Sequence, residues 1–233
     1  MAGIGIKLNK FFDKGTVTGY LAGSGYSVVT TIAPMLLVIA DILAMQKILG
    51  YSDAAYGSRQ LFQATILYIF VFALLASAPL NAVLSRYVSD VIFNETYSDI
   101  MAAFHLGLWI SMAIDAIMVV PFAIHEYIVG GVDIVYVVTS VCCFIALSLV
   151  FYTMLYLSLC KDYGKISLFY FIGMAITLGI SYIFVNKFNM EITYSMLLAM
   201  TIGFIIIASL GYALLRQYFT QNSKNYKDVL QYI

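Results

Sequence analysis

Two acids stand inside or at the edge of long apolar runs, and they are the residues with the most chemistry to offer. Asp115 lies deep in the run from Ile100 to Ile124, and Asp41 stands at the end of the run from Gly15 to Ala40. A carboxylate at the centre of a bilayer costs about 2.5–3.5 kcal/mol on insertion scales. Asp115 therefore needs a wet cavity, a cationic partner or a proton. Arg59 and Gln63 share a helical face with Gln60 beside them, and Ser148, Tyr152 and Tyr156 recur at every fourth position. Four-residue spacing puts side chains on one side of a helix. Tyrosines and amides along a water-filled groove would suit sugars, since aromatic faces stack on pyranose rings and amides bond hydroxyls. The competing reading is structural. The tyrosines then pack between helices, Asp41 pairs with Arg59 across a hairpin, and Asp115 takes Arg59 or Lys47 as its cation.

Patterns for catalysis are missing. His125-Glu126 has no second histidine three residues later, so the zinc-protease arrangement is absent, and His105 stands alone. There is no phosphate-cradling Walker loop, and Gly23-Ser24-Gly25 lacks the five-residue nucleophile elbow. Cys142, Cys143 and Cys160 sit in apolar surroundings, and two of them are adjacent, which does not suit an ordinary disulfide. They read as small apolar filler. The expectation is no enzyme, no catalytic residue, no cofactor and no metal.

The elements that must position these residues follow from composition. The chain has 233 residues, 63% hydrophobic and 10% charged, with mean hydropathy +0.94. A soluble domain carries roughly 25% charged residues. These values exclude a soluble enzyme and a disordered chain. Twelve basic residues balance twelve acidic ones, leaving no basic surface for nucleic acid. A spanning helix needs about 20 mostly apolar residues. With charges taken as boundaries, six spans emerge: Gly15 to Ala40, Gln60 to Ser85, Ile100 to Ile124, Ile134 to Cys160, Ile166 to Asn186 and Ile192 to Leu215. The runs are apolar all round, without the alternation of a β-barrel. The fold class is an all-α polytopic membrane protein.

Lysine and arginine placement gives the orientation. Lys7, Lys10, Lys14, Arg86, Lys161, Lys165, Arg216, Lys224 and Lys227 fall on the side of the N-terminus, against Lys47, Arg59 and Lys187 on the other. Both termini are expected in the cytoplasm. Residues 1–16 read as an interfacial amphipathic segment, with Ile4, Leu8, Phe11 and Phe12 on one face and lysines toward anionic membrane lipids. Residues 17–216 read as the membrane bundle and 217–233 as a cytoplasmic tail. Pro34, Pro79 and Pro121 fall inside spans, and Gly15, Gly19 and Gly23 form a stripe suited to close helix packing.

Two stretches carry a resemblance. Met1-Ala2-Gly3-Ile4-Gly5-Ile6-Lys7-Leu8-Asn9-Lys10 resembles the start of the PelG family, inner-membrane transporters of Pel exopolysaccharide. Ala78-Pro79-Leu80-Asn81 through Ser85-Arg86-Tyr87-Val88-Ser89-Asp90 resembles the segment after that family's second helix, where a proline precedes an Arg-aromatic-small-Asp signature facing the cytoplasm. Ala33-Pro34 sits where the family has Gly-Pro, with alanine here before the proline and Met35 after it. The resemblance covers residues 1 to about 100, and beyond them only the hydropathy pattern agrees. It implies a MATE-like flippase, in which two six-helix lobes face each other across a cavity and work by alternating access, usually driven by a cation gradient. This chain would be the N-terminal lobe, as a fragment, a split gene product or a half that pairs. Its implied partners are a second six-helix lobe or a second copy in a homodimer, the polysaccharide, and other Pel synthase components. The groove would be lined by the first, second and fourth spans, where a cationic polysaccharide would favour Asp41 and Asp115. The rivals are a flippase for lipid-linked oligosaccharide and a non-catalytic membrane scaffold in a synthase complex.

Overall fold

The computed structural model describes residues 34–94, 96, 98–159 and 163–219. The expected interfacial segment, the Gly15/Gly19/Gly23 stripe, Cys160 and the tail beyond 219 lie outside the described residues. Helix α1 covers 34–48. A single 3-10 turn, Tyr51–Asp53, leads to α2 (Tyr56–Phe93), α3 (Asp99–Ile128), α4 (Ile134–Leu159), α5 (Tyr163–Phe188) and α6 (Ile192–Tyr218). Five of these helices, α2 to α6, are long and apolar enough to cross a membrane. The protein is an all-α, multi-pass membrane protein.

Apolar runs place the helices well; charge places their ends badly. The sequence ends the first span at Ala40, yet α1 continues through Asp41 and Lys47 to residue 48. It stops at a turn whose Gly50 has φ +66°, the left-handed conformation that glycine supplies at helix C-termini. The second span is drawn to Ser85, yet α2 runs on through Arg86 and Asp90 to Phe93, 38 residues in all. At 1.5 Å per residue that is about 57 Å, well beyond the roughly 30 Å hydrocarbon core. Backbone bonding ends a helix, and a charge becomes acceptable once the helix leaves the hydrocarbon. The proline and the Arg-aromatic-small-Asp signature thus lie within α2 and not after it. Pro121 is likewise internal, to α3. Helix α4 starts where expected, at Ile134, and Asp133 caps it by accepting the backbone N–H of Val135 at 3.1 Å.

Helices α4 and α6 form the most extensive pair; α5 packs on α6, and α2 and α3 pack on α4. Val150 and Leu157 of α4 and Met196, Leu197, Met200, Phe204 and Ile207 of α6 are fully buried. Small residues set the approach distances. The carbonyl of Gly173 on α5 lies 3.2 Å from where a side chain on Gly203 of α6 would begin, and Gly203 O stands at the same distance from a side chain on Gly173. Lipid is as apolar as the side chains it contacts, so close van der Waals packing of this kind holds membrane helices together. Hydroxyls inside the helices bond back to their own turns: Thr139 to Val135 O at 2.8 Å, Thr153 to Leu149 O at 2.7 Å and Thr201 to Leu197 O at 2.9 Å. That satisfies them where no water is at hand. Leu67, Leu74, Trp109, Ile117, Leu168 and Phe171 face outward, as a bilayer requires.

Candidate functional site

On α3, Phe104, Gly107, Ser111 and Asp115 follow one another at helical spacing and are all buried. They face Ser148, Tyr152 and Tyr156 on α4, each also buried. Ser148 Oγ donates to Asp115 Oδ1 at 2.9 Å. Asp115 is 1% exposed, and its Oδ2 has no hydrogen-bond partner. The site is thus a carboxyl group deep in α3, held from one side by a hydroxyl of α4, with its second oxygen left over. Such an atom is chemically costly and able to take a proton or a cation.

The tyrosines build the joint beside it. Tyr152 donates to the Phe104 carbonyl at 2.7 Å and lies 3.3 Å from the Tyr156 hydroxyl. Gly107 makes this possible, because a Cβ there would run into the Tyr152 hydroxyl and Leu84. Phe104 also stacks on Tyr212 of α6, ring centroids 5.5 Å apart, and meets Tyr156 edge-on at 5.1 Å. His105 reaches the Tyr212 hydroxyl at 3.3 Å. Three helices are therefore knitted by one aromatic cluster. Sequence reading left His105 alone and passed over Phe104, Gly107 and Ser111. Their spacing ahead of Asp115 was the available signal for the α3 residues; the Tyr212 partnership had none.

The other candidates lie elsewhere. Asp41 sits on the buried face of α1 between Val38 and Met45, 3% exposed, and neither of its oxygens has a hydrogen-bond partner. No ion pair joins Asp41 or Asp115 to Arg59 or Lys47. Arg59 instead lies 6.0 Å from the Tyr56 ring, its Nε is unpartnered, and its carbonyl accepts the Tyr51 hydroxyl at 2.8 Å. Burial pushes the Tyr51 phenol above its ordinary range, and the charge of Arg59 pulls the other way. Gln60 and Gln63 are exposed, and Gln60 donates to the Tyr56 hydroxyl. The seven candidates therefore fall into three places: Asp115, Tyr152 and Tyr156 between α3 and α4; Arg59, Gln60 and Gln63 on the first turns of α2; and Asp41 on α1. Among the described residues, no three His, Cys, Asp or Glu side chains gather as a metal set.

An acid deep in a multi-pass bundle marks a pathway for ions or polar cargo more readily than it marks a hydrolase. No curated protein and no solved structure matches the chain. One family model does match, over residues 1–233, well past the first hundred residues in which the sequence motifs are recognisable. Its description is PelG, "Putative exopolysaccharide Exporter (EPS-E)". The chain belongs to the PelG family of exopolysaccharide exporters.

Proposed function

We propose that this chain forms one lobe of an alternating-access exporter in the inner membrane, with both termini cytoplasmic. A second six-helix lobe, or a second copy, faces it across the path of the polymer, and other Pel synthase components deliver the chain of sugars. Asp115 is the observation that carries the mechanism: a nearly inaccessible carboxyl group with one free oxygen, in a member of an exporter family. Binding and release of a proton or cation there would change the charge between α3 and α4 and bias the two arrangements of the lobe. A cationic polymer would be drawn by the same acid and by Asp41. Tyr152 and Tyr156 hold α3 against α4 in this reading, and Arg59, Gln60 and Gln63 meet polymer at the outer end of α2.

The scaffold reading differs in one observable. Cells lacking this chain, but otherwise able to make the polymer, are expected to accumulate it inside. A scaffold would instead leave them making none, since the synthase would not assemble. Orientation has its own test. In a chain with Cys142, Cys143 and Cys160 replaced by Ala, Val129→Cys is expected to react with an impermeant thiol reagent on intact cells, and Ser223→Cys only after lysis. Val129 is exposed and free of the positive φ of neighbouring Gly131. The reverse pattern would invert the topology.

A further inference from the structure

A cavity lies apart from Asp115. It has a volume of about 340 Å³ and is walled by α2, α3 and α4 near the ends that carry Tyr56, Ile128 and Ile134. Its walls are almost wholly aliphatic and aromatic, so it does not suit sugar. Tyr68 and Phe122, both lining it, are exposed, so it opens on the lipid-facing surface. On α2 the lining runs from Leu61 to Phe72, about 16 Å, and on α3 from Met118 to Glu126, about 12 Å, at 1.5 Å per residue. One leaflet of hydrocarbon is about 15 Å deep. Among its few polar groups, Tyr136 donates to Thr65 at 3.4 Å and Glu126 stands at the rim. The rim continues through the last residues of α3 into the loop that follows, and residues 126–133 carry no Lys or Arg. His125 touches Glu126 at 3.5 Å.

We propose that this groove holds one acyl chain of a phosphatidylethanolamine from the leaflet on the Glu126 side. The chain would lie along Phe72, Met118 and Phe122, and the Glu126 carboxylate would meet the ammonium of the headgroup. The groove's length along α2 and α3 matches one leaflet, the depth of a single lipid tail. The acid at the rim selects a zwitterionic headgroup over phosphatidylglycerol, which has no cation to offer. The proposal stands apart from the transport mechanism, since it needs only the groove and the bilayer.

The test uses the full chain in vesicles containing either lipid with a photoreactive diazirine at mid-acyl chain, the adducts being mapped by peptide mass spectrometry. Adducts are expected on the groove segments of α2 and α3 about fivefold over those on the outward face of α5, and about fivefold more from phosphatidylethanolamine than from phosphatidylglycerol, a ratio equal to roughly 1 kcal/mol. Ala64→Phe and Ala123→Phe fill the groove from different walls. Either one that still elutes as a folded protein should remove the groove adducts and leave those on α5 intact. Glu126→Gln should abolish the headgroup preference. Uniform labelling over all lipid-facing helices, groove adducts that survive filling, equal yields from the two lipids, or cross-links from the groove to protein in place of lipid would each overturn the proposal.

Discussion

Asp115→Asn is expected to abolish export while leaving the protein in the membrane at its normal level. Asparagine has the same shape. Its carbonyl oxygen still accepts from Ser148 Oγ, now 2.9 Å from Oδ1, and its amide replaces an oxygen that has no partner to lose. What disappears is the ability to carry a charge and to exchange it for a proton or cation. If that exchange drives the switch between inward- and outward-facing forms, secreted polymer should fall by at least about tenfold, the factor that 1.4 kcal/mol makes in a rate. The measurement is secreted polymer normalised to membrane-protein level in complemented cells. Normal export by the variant would make the acid structural. A collapsed protein level restored by also neutralising Arg59 or Lys47 would make it half of an ion pair.

Gly107 carries the second large effect. A side chain there meets the Tyr152 hydroxyl and, at 2.7 Å, Leu84 Cδ1. Gly107→Ala is therefore expected to push α3 off α4, at a cost of about 1–3 kcal/mol from overpacking. It also strains the 2.7 Å bond from Tyr152 to the Phe104 carbonyl, worth about 0.5–1.5 kcal/mol. Thermal unfolding of the detergent-solubilised protein should show a drop far larger than for Gly179→Ala, whose added atom meets nothing within 4 Å. Tyr152→Phe removes the colliding hydroxyl. The double variant Gly107→Ala/Tyr152→Phe should thus be more stable than the sum of the singles by about 0.5–3 kcal/mol, the range for residues in contact. Strict additivity would show that the two side chains do not meet.

The contrast between Asp115 and Gly107 shows what a sequence can reveal of such a bundle. Helices in lipid must satisfy their own backbones, so unbroken apolar runs could only be helices, and α3 to α6 begin and end within a few residues of where the runs do. Charge does not mark the ends of α1 and α2: boundaries at Asp41 and Arg86 stop both helices short, and Lys47 and Asp90 lie inside them. A helix that outreaches the hydrocarbon carries charge freely, and its stop is a matter of backbone bonds and a positive φ at Gly50. Asp115 was legible because one acid among apolar neighbours is conspicuous. Its use of Ser148, the glycine that admits Tyr152, and the stacking of Phe104 on Tyr212 depend on which helices touch. Nothing in one strand of text records that α4 packs on both α3 and α6. The same holds for Asp41 and Arg59, adjacent across a hairpin on paper and unpaired in the fold.

Uptake of radiolabelled oligosaccharide of the secreted polymer into inside-out membrane vesicles tests the central claim most directly. Vesicles from cells expressing the full export system should take it up when a cation gradient is imposed, lose uptake when the gradient is collapsed, and show none with Asp115→Asn. Gradient-driven uptake that is equal with and without this chain would contradict the account.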